Sequence, residues 1–293
     1  MFSGSIPALA TPFNKSGKPC KKTYRKLVNW HIRQGSNGIL VAGCTGESFT
    51  LNEEERDALL SVAVDAVKKA KKKIPVIMGT GASETKLAMD RTKRAKKLGA
   101  DAVLVITPFG NKPTQTALVE YFKKIADVGL PVILYNVPSR TGTNLLPDTV
   151  IKLSRHPDIV AIKEASGNLD SVSAILNGAA KDFVVLSGDD ALTLPMLAIG
   201  AKGVISTVAN IAPKQFSEMV SLFFDGDIEG ARKIHLRMFP VIKALFAEGN
   251  PVPLKAAMSM MGLCENRLRQ PLVPASKKTV DLLKSAMKKA GLL

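Results

Sequence analysis

Lys163 directly follows an apolar run, residues 159–162, and is the clearest candidate for a nucleophile in the chain. A lysine at the end of a buried strand directs its amine toward surroundings poor in water, and desolvation lowers the pKa of an amine. A neutral amine attacks a carbonyl carbon and forms a Schiff base. The alternative is a rim lysine paired with Glu164 or another acid, and position by itself supports both interpretations equally.

Two further polar residues follow another apolar run, residues 131–134. Tyr135 comes directly after this run, and Arg140 lies beyond Pro138. A tyrosine hydroxyl can act as a general acid or base, although a buried core aromatic is the commoner role. An arginine fork can hold a carboxylate with two hydrogen bonds, although most arginines lie on the surface. Both residues are therefore candidates with an ordinary alternative.

Two glycine-containing segments also follow apolar runs. Residues 43–47 read Gly-Cys-Thr-Gly-Glu, and residues 188–190 read Gly-Asp-Asp. Glycines let backbone N–H groups approach an anion closely, but such turns are also common as plain connections. Cys44 is either a reactive thiol or a packed one, and the absence of a nearby histidine in the sequence favours the packed thiol. In a parallel barrel all of these strand ends meet at one mouth.

The sequence shows no pattern of a metal or nucleotide site. Its three histidines and three cysteines are scattered, without HxxxH or CxxC spacing. Residues 79–81, Gly-Thr-Gly, are too short for a dinucleotide fingerprint and lack the ending of a phosphate-binding loop. We therefore expect no metal and no other cofactor. The few cysteines fit a reducing cytoplasm.

The elements that position these residues are eight short apolar runs that alternate with helical stretches. Their continuous apolar character is typical of parallel strands buried on both faces. Eight such units predict a (β/α)8 TIM barrel with its site at the carboxyl ends of the strands. The predicted strands are 5–10, 38–42, 75–79, 102–107, 131–136, 159–163, 183–187 and 203–207.

After the eighth run the strand pattern stops and amphipathic stretches follow. We predict a barrel over residues 1–224 and a C-terminal helical extension over residues 225–293. Helix starts are indicated by the capping-box spacing of residues 50–53 and by Pro147 and Pro213, which suit a first helical turn. The predicted helices of the last third are 215–224, 228–246, 253–261 and 277–290.

The composition is that of an ordinary globular enzyme, with 46% hydrophobic and 23% charged residues among 293. A net charge of +16 permits nucleic-acid binding, but the basic residues are spread over helical segments and stacking aromatics are scarce. Such a charge also attracts small anionic substrates. No apolar run approaches the ~18 residues of a membrane helix. We expect an unexported, cytoplasmic protein with no nucleic-acid or membrane partner.

Taken together, these segments resemble the dihydrodipicolinate synthase and N-acetylneuraminate lyase family of pyruvate-dependent aldolases. The likeness runs from residues 4–6 and 11–13, through the strand-end motifs, to the Asn-Pro-Val-Pro-Leu-Lys motif at 250–255 and the closing residues 290–293. Each motif is weak alone, but together and in the right order they form a strong signal. Residues 135–142 are similar to the synthase branch.

The resemblance implies a role for each candidate. Lys163 would form the imine with pyruvate, and Tyr135 would move protons to and from it. Thr45 and neighbouring backbone amides would hold the pyruvate carboxylate, and the backbone carbonyl of Ile205 would face the same pocket. Arg140 would bind the carboxylate of aspartate semialdehyde. The implied substrate-binding residues are Thr45, Arg140, Gly188 and Ile205, and the implied catalytic residues are Lys163, Tyr135 and Cys44.

The implied activity is the condensation of pyruvate with L-aspartate 4-semialdehyde by a homo-oligomer, either a tetramer or a dimer. Two positions depart from the family pattern. Cys44 stands where the synthases carry a threonine of the proton relay, and Gly110 stands where they carry a second tyrosine, donated by a neighbouring subunit. The alternatives are therefore a pyruvate-dependent aldolase for another aldehyde, of sugar-acid or hydroxy-acid type, and a catalytically impaired or nucleic-acid-binding homologue.

Overall fold

The computed structural model describes residues 2–293 and contains all eight predicted strands. Most strand ends agree with the prediction to within one residue. The first strand is the exception: its ladder with β8 ends at Pro7, and of the apolar residues 8–10 only Ala8 forms a further bridge. The strands are β1 Gly4–Pro7, β2 Ile39–Val41, β3 Val76–Gly79, β4 Ala102–Ile106, β5 Val132–Asn136, β6 Ile159–Glu164, β7 Val184–Ser187 and β8 Gly203–Ser206.

The strands form one parallel sheet in the order β1-β8-β7-β6-β5-β4-β3-β2. The circle closes between β1 and β2 through a single bridge from Ala8 to Leu40, where Leu9 N donates to Leu40 O at 2.9 Å. The predicted (β/α)8 barrel is confirmed. In the β5–β6 ladder Tyr135 is the register partner of Lys163, so the two side chains leave adjacent strands on the same face.

Side chains of each strand alternate between two apolar layers. On β4, Ala102, Leu104 and Ile106 point into the barrel interior, whereas Val103 and Val105 belong to the layer beneath the helices. Both faces of the strand are therefore buried, which explains why the strands read as continuous apolar runs. Tyr135 and Lys163, on the inner face, lie near the carboxyl ends of β5 and β6.

The helices surround the barrel and fill the C-terminal third of the chain. Pro147 and Pro213 occupy the first turns of two of them, as predicted, because a missing N–H costs nothing there. The helices are α1 Lys21–Arg33, α2 Glu53–Lys69, α3 Thr85–Lys97, α4 Gln115–Ala126, α5 Pro138–Thr141, α6 Pro147–Leu153, α7 Leu169–Gly178, α8 Thr193–Ala198, α9 Pro213–Phe224, α10 Ile228–Leu245, α11 Val252–Met260 and α12 Lys277–Lys289.

The capping box of α2 lies two residues later than predicted. Asn52 Oδ1 accepts from Glu55 N at 2.8 Å, and Glu55 Oε2 accepts from Asn52 N at 3.1 Å. Thr50 instead ends a short 3-10 turn, where its hydroxyl donates to Glu47 O at 3.0 Å. The prediction of a capping box at residues 50–53 was wrong, because this 3-10 turn delays the start of the helix. Local sequence spacing fits a box at residues 50–53 as well as one at residues 52–55.

The C-terminal helices pack directly on the barrel. Helix α10 contacts α9, α11 and α12, and it also touches α8 and the short turns at Asp190–Leu192 and Val208–Asn210, which follow β7 and β8. It therefore lies beside the carboxyl ends of the strands. Within residues 2–293 no helix is both long enough and apolar enough to cross a bilayer. The division of the chain at residue 224 remains a proposal about its domains.

Replacing Asn52 tests the observed start of α2. Asn52→Ala removes the side-chain acceptor of the capping box, so we expect the free energy of unfolding to fall by about 1 kcal/mol in urea titration. Asn52→Asp keeps an acceptor and should lose less than half of that. Equal stability of Asn52→Ala and the unchanged chain would contradict a helix that begins here.

Candidate functional site

A cavity of about 330 Å³ opens at the carboxyl ends of the strands. It brings together six of the seven predicted site residues. The six that line it are Cys44, Thr45, Tyr135, Arg140, Lys163 and Gly188. The exception is Ile205, which is buried in the barrel interior and does not line the cavity. That its backbone carbonyl faces a bound ligand remains a prediction.

Lys163 is buried and has no acidic partner among residues 2–293. It is the penultimate residue of β6 and is only 5% exposed. Glu164, the partner in the alternative interpretation, binds elsewhere: its Oε2 accepts from Asn136 Nδ2 at 2.9 Å and its Oε1 from Ser166 N at 2.6 Å. Burial lowers the pKa of Lys163 to about 8. The structure thus supports a nucleophilic amine over a rim ion pair.

Tyr135 and Gly188 flank this amine. Lys163 Nζ lies 4.4 Å from the centroid of the Tyr135 ring. Burial raises the pKa of Tyr135 well above its usual range, so the phenol keeps its proton at neutral pH. A Cβ at position 188 would lie 3.1 Å from Lys163 Cε and 2.7 Å from Ala165 Cβ. Glycine at this strand end therefore leaves the room that the lysine occupies.

The turn after β2 presents Cys44 and Thr45 to the cavity. The two residues begin a 3-10 turn, Cys44–Gly46, and Thr45 is buried. Thr45 Oγ1 accepts from Asn250 Nδ2 at 3.0 Å and lies 3.4 Å from Thr207 Oγ1. Burial raises the pKa of the Cys44 thiol, against the opposing effect of Arg140 and Lys163. Cys44 is therefore a neutral thiol at pH 7.

Arg140 lies in the wall of the cavity on the one-turn helix α5. Its Nη2 donates to the backbone oxygen of Asn250 at 3.0 Å, while its side chain stays exposed. This contact spans 110 residues of sequence and fixes one edge of the guanidinium. The remaining donors of the fork are available to an anionic ligand.

Three site residues were missed at the sequence level. Asn250 and Thr207 line the cavity and contact Thr45. Asp190 is buried beneath it, accepting from Ser206 Oγ and from Thr207 N at 3.1 Å. Burial raises the pKa of Asp190 to about 6. Asp190 belongs to the motif at residues 188–190, and Asn250 belongs to the motif at residues 250–255. Their contacts, however, join chain segments that are far apart in sequence.

Gly110 lies in open space. Its φ of +82° is in the left-handed region, and no atom lies within 4 Å of a Cβ built there. Gly110 lines neither the main cavity nor the smaller one behind Cys44 and Tyr135. An L-tyrosine at this position would have to adopt a left-handed backbone conformation that residues with a side chain seldom take.

No three His, Cys, Asp or Glu side chains of residues 2–293 cluster in a way that would hold a metal ion. Among the groups that line the cavity are the amine of Lys163, the phenol of Tyr135, the thiol of Cys44 and the hydroxyls of Thr45 and Thr207. Together with the Arg140 cation, they suit a small anionic carbonyl compound.

The acidity of Lys163 can be measured without any substrate. Competitive acylation with acetic anhydride, followed by peptide mass spectrometry, should give a labelling midpoint near pH 8 for Lys163, because only the neutral amine reacts. Lys86 is an exposed control whose pKa is raised by Asp90. A Lys163 midpoint that coincides with that of Lys86 would contradict the desolvated amine.

Comparison with known proteins confirms the resemblance. The chain matches the model of the dihydrodipicolinate synthetase family over residues 1–290. It is 47% identical to a 4-hydroxy-tetrahydrodipicolinate synthase of Thermodesulfovibrio yellowstonii, over the whole of both chains. A solved dihydrodipicolinate synthase of Thermotoga maritima has 44% identity and a TM-score of 0.97, again over the whole of both chains. The pyruvate complex of the enzyme from Acinetobacter baumannii, inhibited by chloride, has 41% identity, a TM-score of 0.97 and the same coverage. The chain belongs to the dihydrodipicolinate synthase family.

Proposed function

We propose that the chain is a class I, Schiff-base lyase that condenses pyruvate with L-aspartate 4-semialdehyde to give 4-hydroxy-tetrahydrodipicolinate, in diaminopimelate and lysine biosynthesis. The observation that carries the proposal is the buried Lys163 amine, with a pKa of about 8 and no acidic partner within residues 2–293, in a cavity lined by Tyr135, Thr45 and Arg140. Full-length relatives are named for this reaction.

Imine formation begins at Lys163. With a pKa of about 8, roughly a tenth of these amines are neutral at pH 7. Nζ attacks C2 of pyruvate, the carbonyl oxygen takes up protons and leaves as water, and a C=N bond replaces the C=O bond. Tyr135 contacts the amine and keeps its proton at this pH, so it is placed to protonate the departing oxygen.

Thr45 is placed to bind the pyruvate carboxylate. Because Asn250 Nδ2 donates to Thr45 Oγ1, the hydroxyl proton of Thr45 points elsewhere. That proton can be donated to Thr207 Oγ1, which lies 3.4 Å away, or to a carboxylate in the cavity. Asn250 thus prepares Thr45 as a donor rather than an acceptor.

Carbon–carbon bond formation follows from the imine. The positively charged imine promotes loss of a proton from C3, and the resulting enamine attacks the aldehyde carbon, whose oxygen is then protonated. The amine of the second substrate next attacks C2 and releases Lys163, so one water leaves per product. Arg140 is placed to hold the carboxylate of the second substrate.

We further propose a cytoplasmic homo-oligomer, either a tetramer or a dimer. Phe49 is 57% exposed and packs edge to face on Phe109, with 5.1 Å between the ring centroids. An aromatic pair is therefore available to a neighbouring subunit. One similar solved structure is described as a monomeric variant, so the fold does not by itself require assembly. The free cysteines fit a reducing compartment. The proposed partners of the protein are small-molecule substrates rather than nucleic acid or a membrane.

A second candidate keeps pyruvate and Lys163 but uses another aldehyde, of sugar-acid or hydroxy-acid type. Two observations favour it. Cys44 is a weaker hydrogen-bond donor than the threonine of the synthases. Gly110 has no side chain and lines neither cavity, so it contributes nothing to a relay within the described residues of its own chain.

Borohydride trapping tests the nucleophile. Pyruvate with borohydride should add one pyruvate-derived mass on Lys163, because reduction converts the imine into a stable amine. The yield at short times should rise with pH through about 8 and then level off, since the ammonium form that predominates at lower pH cannot attack.

Lys163→Met should not be labelled. Lys243→Met is the matched control, because Lys243 also lines the cavity and its loss should leave the label on Lys163. Label on another residue, or none at saturating pyruvate, would contradict the assignment.

Substitution of Cys44 separates the two candidates. Cys44→Thr should raise kcat with aspartate semialdehyde at least about threefold, since a stronger donor next to Tyr135 improves proton transfer, which is typically worth roughly 10²- to 10⁴-fold in full. Cys44→Ala should lower it, and neither change should alter imine formation with pyruvate more than about twofold. If the unchanged chain is faster with another aldehyde and Cys44→Thr slows that reaction, the second candidate stands in place of the first.

A further inference from the structure

We infer that a buried ion pair between Glu47 and Lys255 positions the turn that presents Cys44 and Thr45 to the cavity. The inference deepens the proposed function, on which it rests, because it identifies two residues that act on pyruvate binding without touching the ligand. Neither residue lines the cavity.

The pair is shut off from water. Lys255 Nζ lies 3.0 Å from Glu47 Oε1, and the two side chains are 0% and 1% exposed. Lys255 Nζ also donates to Arg267 O at 2.8 Å, and Glu47 Oε2 accepts from Arg269 N at 2.9 Å. The carboxylate thus joins the barrel to both helix α11 and the segment that follows it.

Glu47 ends the turn that presents Cys44 and Thr45 to the cavity. It follows Cys44–Gly46 directly and has φ 54° and ψ 39°, in the left-handed region that non-glycine residues seldom adopt. Such a conformation persists only where the surroundings hold it. The side chain of Glu47 is held by the ion pair, and its backbone oxygen accepts from Thr50 Oγ1 at 3.0 Å.

The C-terminal segment reaches the same turn at a second point. Asn250 Nδ2 donates to Thr45 Oγ1, and Asn250 O accepts from Arg140. Asn250 and Lys255 lie at the start of α11, so one short segment holds both Thr45 and Glu47. The distance between these two contacts sets the shape of the turn between them.

A positioning role also agrees with the energetics of burial. A buried ion pair gains little net stability over an apolar pair, because desolvation of the two charges offsets their attraction. What such a pair provides is a directed contact, since removal of one partner leaves an unpaired buried charge. We therefore expect loss of both charges to affect turn geometry more than stability.

The test is the double variant Glu47→Gln with Lys255→Met, which removes both charges at nearly constant volume. The matched control is Glu55→Gln, which breaks the Glu55–Arg269 ion pair between α2 and the same C-terminal segment but leaves Glu47 in place. Two readouts are needed. One is pyruvate-dependent borohydride trapping, and the other is the rate of Cys44 alkylation by iodoacetamide, with Cys20 as internal reference.

The double variant should need at least about tenfold more pyruvate for half-maximal trapping, while the maximal trapping rate falls less than about threefold. Cys44 should be alkylated several times faster, because the turn around it is less restrained. Its unfolding midpoint in urea should stay close to that of the unchanged chain. Glu55→Gln should change the pyruvate requirement and the alkylation rate by less than about twofold.

A double variant that equals the unchanged chain in both readouts would overturn the inference and leave the pair a purely structural contact. If the double variant does not fold, Glu47→Gln alone is measured. It should raise the pyruvate requirement and the Cys44 alkylation rate in the same direction, while its unfolding midpoint falls because the buried Lys255 charge is left unpaired. If the unchanged chain takes up no pyruvate, the proposed function fails, and the alkylation rates then decide the positioning role by themselves.

Discussion

The burial of the Lys163 amine is the constraint on which the rest of the site depends. A lysine surrounded by water is a cation at neutral pH and has no lone pair with which to attack a carbonyl. The barrel withdraws the water by placing this residue where the apolar interior meets the cavity. Gly188 leaves space for the side chain, and Glu164 is held away by Asn136 and Ser166. The amine therefore keeps its lowered pKa, because burial outweighs the opposing charge of Asp190.

The mouth of the barrel is organised by contacts between distant segments. Asp190, after β7, accepts from the backbone of the turn after β8 and so places Thr207 beside Thr45. Asn250, before α11, connects Thr45 with Arg140. The C-terminal third of the chain is thus part of the site as well as of the outer layer, because Asn250 contacts both Thr45 and Arg140 in the wall of the cavity.

The two departures from the family pattern differ in what they change. Cys44 keeps its place in the cavity wall next to Tyr135, but its thiol is a weaker donor than a hydroxyl. Gly110 lies outside the cavities of its own chain, in a left-handed backbone conformation that disfavours a side chain. The groups proposed to form the imine are therefore present in the cavity, whereas the proposed proton relay to Tyr135 lacks the threonine and the second tyrosine of the family pattern.

The sequence by itself determined the eight strands, the helices between them and the strand end that carries Lys163, because apolar periodicity reflects the local geometry of the backbone. It did not decide between a nucleophile and an ion pair at Lys163, since that depended on where Glu164 points. Local spacing also fitted two starts for α2, of which the fold selected Asn52. The contact of Asn250 with Thr45 joins residues 205 positions apart. Burial, pKa and hydrogen-bond partners depend on groups that only the folded chain brings together, so they were decided by the tertiary structure.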